Sequence, residues 1–320
     1  MMPPIHTTDY SHQITCIDTH YQRPNLAACY LIESAGEAVF IDTGTSHTVP
    51  HLMDVLAAKG IAPSHVKYVI PTHVHLDHAG GAGTLMQQLP NASLLIHPFG
   101  AKHMIDPSKL IAGATAVYGE EEFSAAFGEL IAVDEQRVIE VPDGMRVTFG
   151  DRELFCLDTP GHARHHICIH DALSGAIFTG DTFGLSYREF DTEQGPFIMP
   201  TTTPIQFDLD TWQVTLDRLM DLSPERIFLT HYGEVTEPAI LADKLSQYLD
   251  DFAAIARAAD ASPGQARIAV IRKELQQWLI NKLQAHGCKQ SPETIVQLMS
   301  MDLELNAHGL EVWLARQEKE

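Results

Sequence analysis

Cysteine is sparse and scattered: Cys16, Cys29, Cys156, Cys168 and Cys288 are odd in number and nowhere form a C-x-x-C. A thiolate zinc ribbon or disulfide framework is therefore not expected, and reduced thiols point to a cytoplasmic protein. Basic residues are also few, 21 Lys and Arg against 42 Asp and Glu, for a formal net charge of −21. Such a chain repels phosphate backbones unless its cations are concentrated, and no basic run occurs, so nucleic acid is not an expected partner. Long apolar runs are missing as well. No stretch of 18 uninterrupted apolar residues exists, and Met1 to Asp18 has no basic segment leading into an apolar one. Neither membrane spanning nor secretion is expected. Internal repeats and low-complexity tracts are absent.

What is present is enough apolar material, 45% of 320 residues, for one sizeable domain and an extension. Between Ile14 and Leu229, short β-branched or apolar runs alternate with turn residues and amphipathic stretches. Strands are predicted at Ile14 to Ile17, Ala28 to Ile32, Ala38 to Ile41, Lys67 to Ile70, Ser93 to Ile96, Arg137 to Val141, Met145 to Phe149, Glu153 to Leu157, Ile167 to His170, Ala176 to Thr179 and Arg226 to Leu229. Helices are predicted near Val49 to Lys59, Gly81 to Gln88 and Asp210 to Leu222. This interleaving predicts an α/β domain of layered sheets over residues 1–235. After Gly233 apolar residues recur at helical spacing, as in Leu241, Leu245, Leu249 and Phe252, or Ile268, Ile271, Leu275 and Leu279. Ser262-Pro263-Gly264 and Ser291-Pro292-Glu293 are helix starts between such runs, so residues 236–320 read as a helical extension. Residues 237–320 hold twelve acidic and nine basic side chains, which favours packing or homodimerisation over nucleic-acid binding.

Histidine is the abundant residue, 18 in all, clustered at 73–78 and 162–166. Imidazole is the commonest protein metal ligand. The densest signal is Thr72-His73-Val74-His75-Leu76-Asp77-His78, directly after an apolar strand, where α/β folds place ligand-binding loops. Donors this close in sequence cannot all close one tetrahedron, so further ligands must come from elsewhere. Three segments offer them: Thr159-Pro160-Gly161-His162, Thr179-Gly180-Asp181 and Leu229-Thr230-His231. Each follows a predicted strand and can deliver its polar residue to a common sheet edge.

With these motifs the sequence resembles the metallo-β-lactamase superfamily over roughly residues 14 to 235, and within it the glyoxalase II-like branch of metallohydrolases. The resemblance implies a four-layer αββα fold carrying a C-terminal helical extension. It also implies two divalent metal ions, zinc first and iron or manganese as alternatives, since the donors are imidazoles and carboxylates without a thiolate. His73, His75 and His162 would hold one ion, Asp77, His78 and His231 the other, and Asp181 would bridge them. Asp42, in Ile41-Asp42-Thr43-Gly44, would orient the histidine loop.

Two such ions would lower the pKa of a bridging water and polarise a substrate oxygen, and Asp77 would orient the resulting hydroxide. The expected activity is hydrolysis of a carboxylic ester, thioester or lactone of a small molecule. A non-catalytic effector-binding metalloprotein, or a di-iron redox protein of the same fold, is the alternative. His166, four residues after His162, is read as a supporting or proton-transfer residue or else as a structural histidine. His165 is expected to face solvent or a loop. The stretch Phe183 to Phe207 has weak secondary-structure signal and is expected to be functional, often as a lid. Its Tyr187 and Arg188 are candidates for substrate contact, with packing of the loop onto the helical extension as the other reading. Tyr232, beside His231, is a further pocket candidate.

Overall fold

The computed structural model describes residues 6–319, apart from the side chains of Val117 and Tyr118. Residues 1–5, part of the stretch read above for a leader, lie outside the described residues. The chain divides into two compact units, one of residues 1–158, 165–180 and 226–234, the other of residues 159–164, 181–225 and 235–320.

The first unit is built on two mixed sheets. One has the order β1 (Thr7–Tyr10), β2 (Ile14–Asp18), β3 (Ala28–Ser34), β4 (Glu37–Ile41), β5 (Val66–Ile70), β6 (Ser93–Ile96), β7 (Val138–Glu140), antiparallel as far as β4 and parallel from there. The other comprises β8 (Arg146–Phe149), β9 (Arg152–Asp158), β10 (Ile167–Asp171), β11 (Ala176–Gly180), β12 (Arg226–Leu229) and β13 (Gly233–Thr236), neighbours in that order. Here β8 to β11 are antiparallel and β11 runs parallel to β12. Helices α1 (Val49–Ala58), α2 (Leu76–Ala79), α3 (Ala82–Gln88), α4 (Pro98–Ile105), α5 (Ser108–Tyr118) and α6 (Glu120–Phe127) belong to this unit.

Successive strand residues point to opposite faces, and the central strands are apolar on both. Along β3, Ala28, Tyr30 and Ile32 enter the core between the sheets, whereas Cys29 and Leu31 enter the core under α1, α3 and α4. Along β4, Val39 and Ile41 join the first set, Ala38 and Phe40 the second. Strands buried on both faces read as continuous apolar runs, and for that reason they are legible in sequence. Every strand predicted above is present with ends shifted by a residue or so. Those missed, β1 and β13, are short and polar; β1 lies largely exposed at a sheet edge. Helices α4 to α6 were not foreseen either; no described side chain among Ser108 to Ala116 of α5 is buried, so no apolar stripe marks it.

The second unit contains α7 (Leu209–Asp221), α8 (Pro238–Ala258), α9 (Gln265–Ala285), α10 (Pro292–Leu298) and α11 (Ser300–Gln317). Their starts follow the sequence signals. Asp208 caps α7 by accepting from Thr211 N (2.9 Å), and Ser291 caps α10 by accepting from Thr294 N (3.2 Å) with Pro292 in the first turn. The apolar stripes predicted for α8 and α9 are buried at Leu241, Leu245, Leu249, Phe252, Ile271, Leu275 and Leu279. No helix among the described residues is long and apolar enough to cross a membrane.

One ion pair inside the first unit is enclosed. Arg152 of β9 and Asp171 of β10 are 3% and 0% exposed; the guanidinium donates to both carboxylate oxygens and to the carbonyl of His12. Removing one partner strands a buried charge. Arg152→Ala is expected to cost about 3–5 kcal/mol of stability, read as a lowered urea midpoint; a loss within about 0.5 kcal/mol, typical of surface substitutions, would contradict this placement.

Candidate metal centre

The histidine loop leaves the C-terminal end of β5, passes Pro71 and Thr72, and turns into the short helix α2. Its anchor is Asp42, which directly follows β4. The residue has φ +56°, a left-handed conformation that Asp tolerates better than most residues, and it is fully buried. Its carboxylate accepts from Thr72 N (2.7 Å), Thr72 Oγ1 (3.0 Å), Thr230 Oγ1 (2.7 Å) and His78 Nδ1 (2.9 Å). Buried carboxylates need such partners. One side chain thus fastens the ends of β4, β5 and β12 together.

The hydrogen bond to Asp42 fixes the chemistry of His78. A carboxylate only accepts, so Nδ1 carries a proton, and in the neutral ring Nε2 then presents its lone pair, the form in which imidazole ligates metal. His231 follows the same rule, since its Nδ1 lies 2.7 Å from the carbonyl oxygen of Leu26. Nε2 of His231 lies 3.4 Å, and Nε2 of His78 3.7 Å, from Oδ2 of Asp77. The ligand atoms of Asp77, His78 and His231 all fall within 4.8 Å of one another. His73 and His75 converge beside them, Nε2 to Nδ1 at 2.8 Å.

His166 is fully buried and stacks on His73 with centroids 5.0 Å apart. Gly180, at φ +48°, makes room for it: a Cβ there would lie 2.6 Å from His166 Nε2 and equally close to Thr72 Oγ1. His165 corrects an expectation. It does not face solvent; it is 5% exposed, parallel to His73 and edge-on to His75. The ring is enclosed beside two candidate ligands, His73 and His75, a placement that polarity alone did not reveal. Tyr232 packs against the core between the sheets, and burial pushes its phenol well above the usual tyrosine range.

In the second unit, His162 and Asp181 lie together, Nε2 to Oδ2 at 3.5 Å, both buried. His162 repeats the tautomer pattern, with Nδ1 2.7 Å from the carbonyl oxygen of Thr201. Trp212 of α7 braces this pair by lying edge-on to the His162 ring and donating from Nε1 to the carbonyl of Thr182 (2.5 Å). Thr182 Oγ1 donates in turn to Thr159 O (3.2 Å). Tyr187 is 1% exposed and donates its hydroxyl to Asp302 of α11 (3.1 Å), which packs it onto the helices. Arg188 is half-buried, bonded to Ser186 and paired with Asp191 at 3.5 Å. The segment Phe183 to Phe207 is not a free lid: Thr192 Oγ1 donates to His286 O (2.8 Å) and Leu185 pairs with Met199.

Thr72 and Thr230 escaped the sequence reading, although each adjoins a histidine singled out there. Leu26 and Thr201 contribute only backbone oxygens, for which the side chain leaves no signal.

The sequence profile of the Metallo-beta-lactamase superfamily matches residues 23–231. The Metallo-beta-lactamase fold-containing protein ST1585 of Sulfurisphaera tokodaii is 27% identical over 230 residues, covering 71% of this chain and 80% of that protein. Its crystal structure superposes with a TM-score of 0.64 at 22% identity, over 94% of this chain and 99% of the other. A Thermus thermophilus metallo-beta-lactamase family protein, TTHA1429, gives 0.61 at 19% identity, covering 99% and 95%. The bovine acyl-coenzyme A thioesterase MBLAC2 is 27% identical over 173 residues, 50% of this chain and 60% of that protein. Two mixed sheets bearing an Asp-anchored histidine loop, and a profile match across most of them, place the chain in the metallo-β-lactamase superfamily. The αββα fold with a C-terminal helical region, expected from the motifs, is borne out, and its clustered histidines and aspartates are able to bind metal ions.

Asp42 bonds to His78 and to Thr72 of the loop and does not stand among the candidate ligands. Asp42→Asn is therefore expected to weaken metal binding about 10 to 100-fold, as outer partners of ligands do, measured by competition with a chromophoric chelator. Unchanged affinity would show that the loop holds its shape without the carboxylate.

Proposed function

We propose that the chain is a dinuclear metal-dependent hydrolase of a carboxylic ester, thioester or lactone. The observation that carries this reading is the shared arrangement of His78, His231 and His162: each has Nδ1 bound to an oxygen that can only accept, so that Nε2 is the nitrogen turned toward a neighbouring Asp77 or Asp181 carboxylate and toward a shared ion. Histidines that served packing alone would have no reason to agree.

His73, His75 and His162 would hold one ion, Asp77, His78 and His231 the other, with Asp181 shared between them. The donors are imidazole nitrogens and carboxylate oxygens, a set that suits zinc first and iron or manganese as well. When bound, the divalent cations supply acidified water at neutral pH and polarise the acyl oxygen. The protein side chains do the rest. Asp77, 23% exposed, accepts a hydrogen bond from the attacking water and sets its direction. His166 holds the His73 ring by stacking, and Asp42 holds that of His78. Similarity to an acyl-coenzyme A thioesterase supports acyl transfer to water as the reaction class. The charge of −21 and the reduced thiols keep a small-molecule substrate and a cytoplasmic setting as the preferred context.

Asp181→Asn tests the assignment. An amide has one carbonyl oxygen and no charge, so it cannot replace a carboxylate shared by two cations, which then repel each other. Elemental analysis of the reconstituted variant is expected to show both ions depleted, and turnover of acyl thioesters and esters to fall by about two orders of magnitude or more. Circular dichroism should be unchanged, because the sheets have their own apolar core. Two ions and near-normal turnover in the variant would remove Asp181 from this role.

A further inference from the structure

We infer that the C-terminal helix α11 is a positioning element for His162, acting through Asn306. The inference rests on the functional reading above, in which His162 is a metal donor. His162 owes its tautomer and ring direction to the carbonyl of Thr201, and that carbonyl sits in a stretch with no ladder of its own: residues 200–205 form neither helix nor strand. An irregular backbone holds a carbonyl in place only if something else fixes it.

Asn306 does so. Its side chain is 1% exposed, and Oδ1 accepts from both Thr202 N (2.5 Å) and Thr202 Oγ1 (2.8 Å). The Thr202 hydroxyl also lies 3.1 Å from the backbone oxygen of Asn306. The peptide whose N–H is held by Asn306 is the one whose C=O holds His162, since Thr201 C=O and Thr202 N–H belong to the same planar unit. Rotation of that plane is thus blocked from both ends.

A second observation is independent of these bonds. Gly309 stands inside α11, where glycine is unfavourable. A Cβ at that position would lie 2.7 Å from the carbonyl oxygen of Thr202 and 3.1 Å from its Oγ1. Glycine lets the strap press directly onto the helix. The remaining contacts fall on the same stripe: Asp302 accepts from Tyr187, Trp313 packs on Phe207 with centroids 6.0 Å apart, and Arg316 donates to the carbonyls of Ile205 and Phe207. Residues 302, 306, 309, 313 and 316 share one helical face, so a single face of α11 receives the segment running from Tyr187 to Phe207.

The test uses the full chain, with zinc affinity measured by chelator competition and the visible bands of the cobalt-loaded protein as readouts besides activity. Asn306→Leu removes the acceptor; zinc binding is expected to weaken about tenfold or more and the cobalt bands to shift. Asn306→Asp keeps oxygen acceptors for both Thr202 groups and should restore affinity to within about threefold of wild type, taking outer-ligand losses as the scale. Gly309→Ala displaces the strap without deleting a bond and should act in the direction of Asn306→Leu, which keeps the question decidable where the leucine variant fails to fold. If zinc affinity and cobalt spectrum match wild type in the folded variants while only thermal stability falls, α11 is packing alone and the inference is overturned. A wild-type protein that takes up no zinc would overturn the functional reading together with this one; indifferent variants of a zinc-binding protein overturn this one alone.

Discussion

The carboxylate of Asp42 is the constraint on which the histidine loop depends. It is buried where ionised groups are costly, and it is satisfied by four donors from two other chain segments, the loop of residues 72–78 and Thr230. Each donor is thereby placed relative to the others. Thr72 begins the H-x-H-x-D-H turn, Thr230 precedes His231, and His78 is bonded directly. A left-handed backbone at Asp42 aims the side chain inward just where β4 ends, and a plain strand residue there would point along the alternating faces of the sheet instead.

Much of this was legible in the sequence because it is written in side chains. The central strands are apolar on both faces, so their runs stand out, and the H-x-H-x-D-H spacing is too specific to arise from packing needs. What was not legible is written in backbone. Leu26 and Thr201 orient His231 and His162 through carbonyl oxygens that any residue could supply. His165 looked polar enough for solvent, yet stacked imidazoles provide flat surfaces that bury it. Tyr187 stands out as part of a segment with weak secondary-structure signal; its hydroxyl is taken up by Asp302, over a hundred positions away along the chain, a pairing that no local pattern announces.

Orientation of histidine rings by backbone oxygens demands order, since a carbonyl is only as fixed as its loop. Both loops carry extra bonding that their lack of secondary structure would not lead one to expect. Around Leu26, Thr19 N (3.0 Å) and Thr19 Oγ1 (2.9 Å) both reach the carbonyl of Ala27, and Asp18 accepts from the backbone of His20 and Asn25, each at 2.9 Å. Around Thr201, the partner is Asn306. Small metal domains such as zinc fingers draw their folding energy from the ion. Here each unit has an apolar core of its own, and the loops are tied by hydrogen bonds within the protein. Donors held in this way lose little conformational entropy on ligation, so more of the interaction is expressed as affinity. The same bonding fixes the directions in which the histidine rings face, which the proposed hydrolysis would need in order to hold water and substrate in a reacting arrangement.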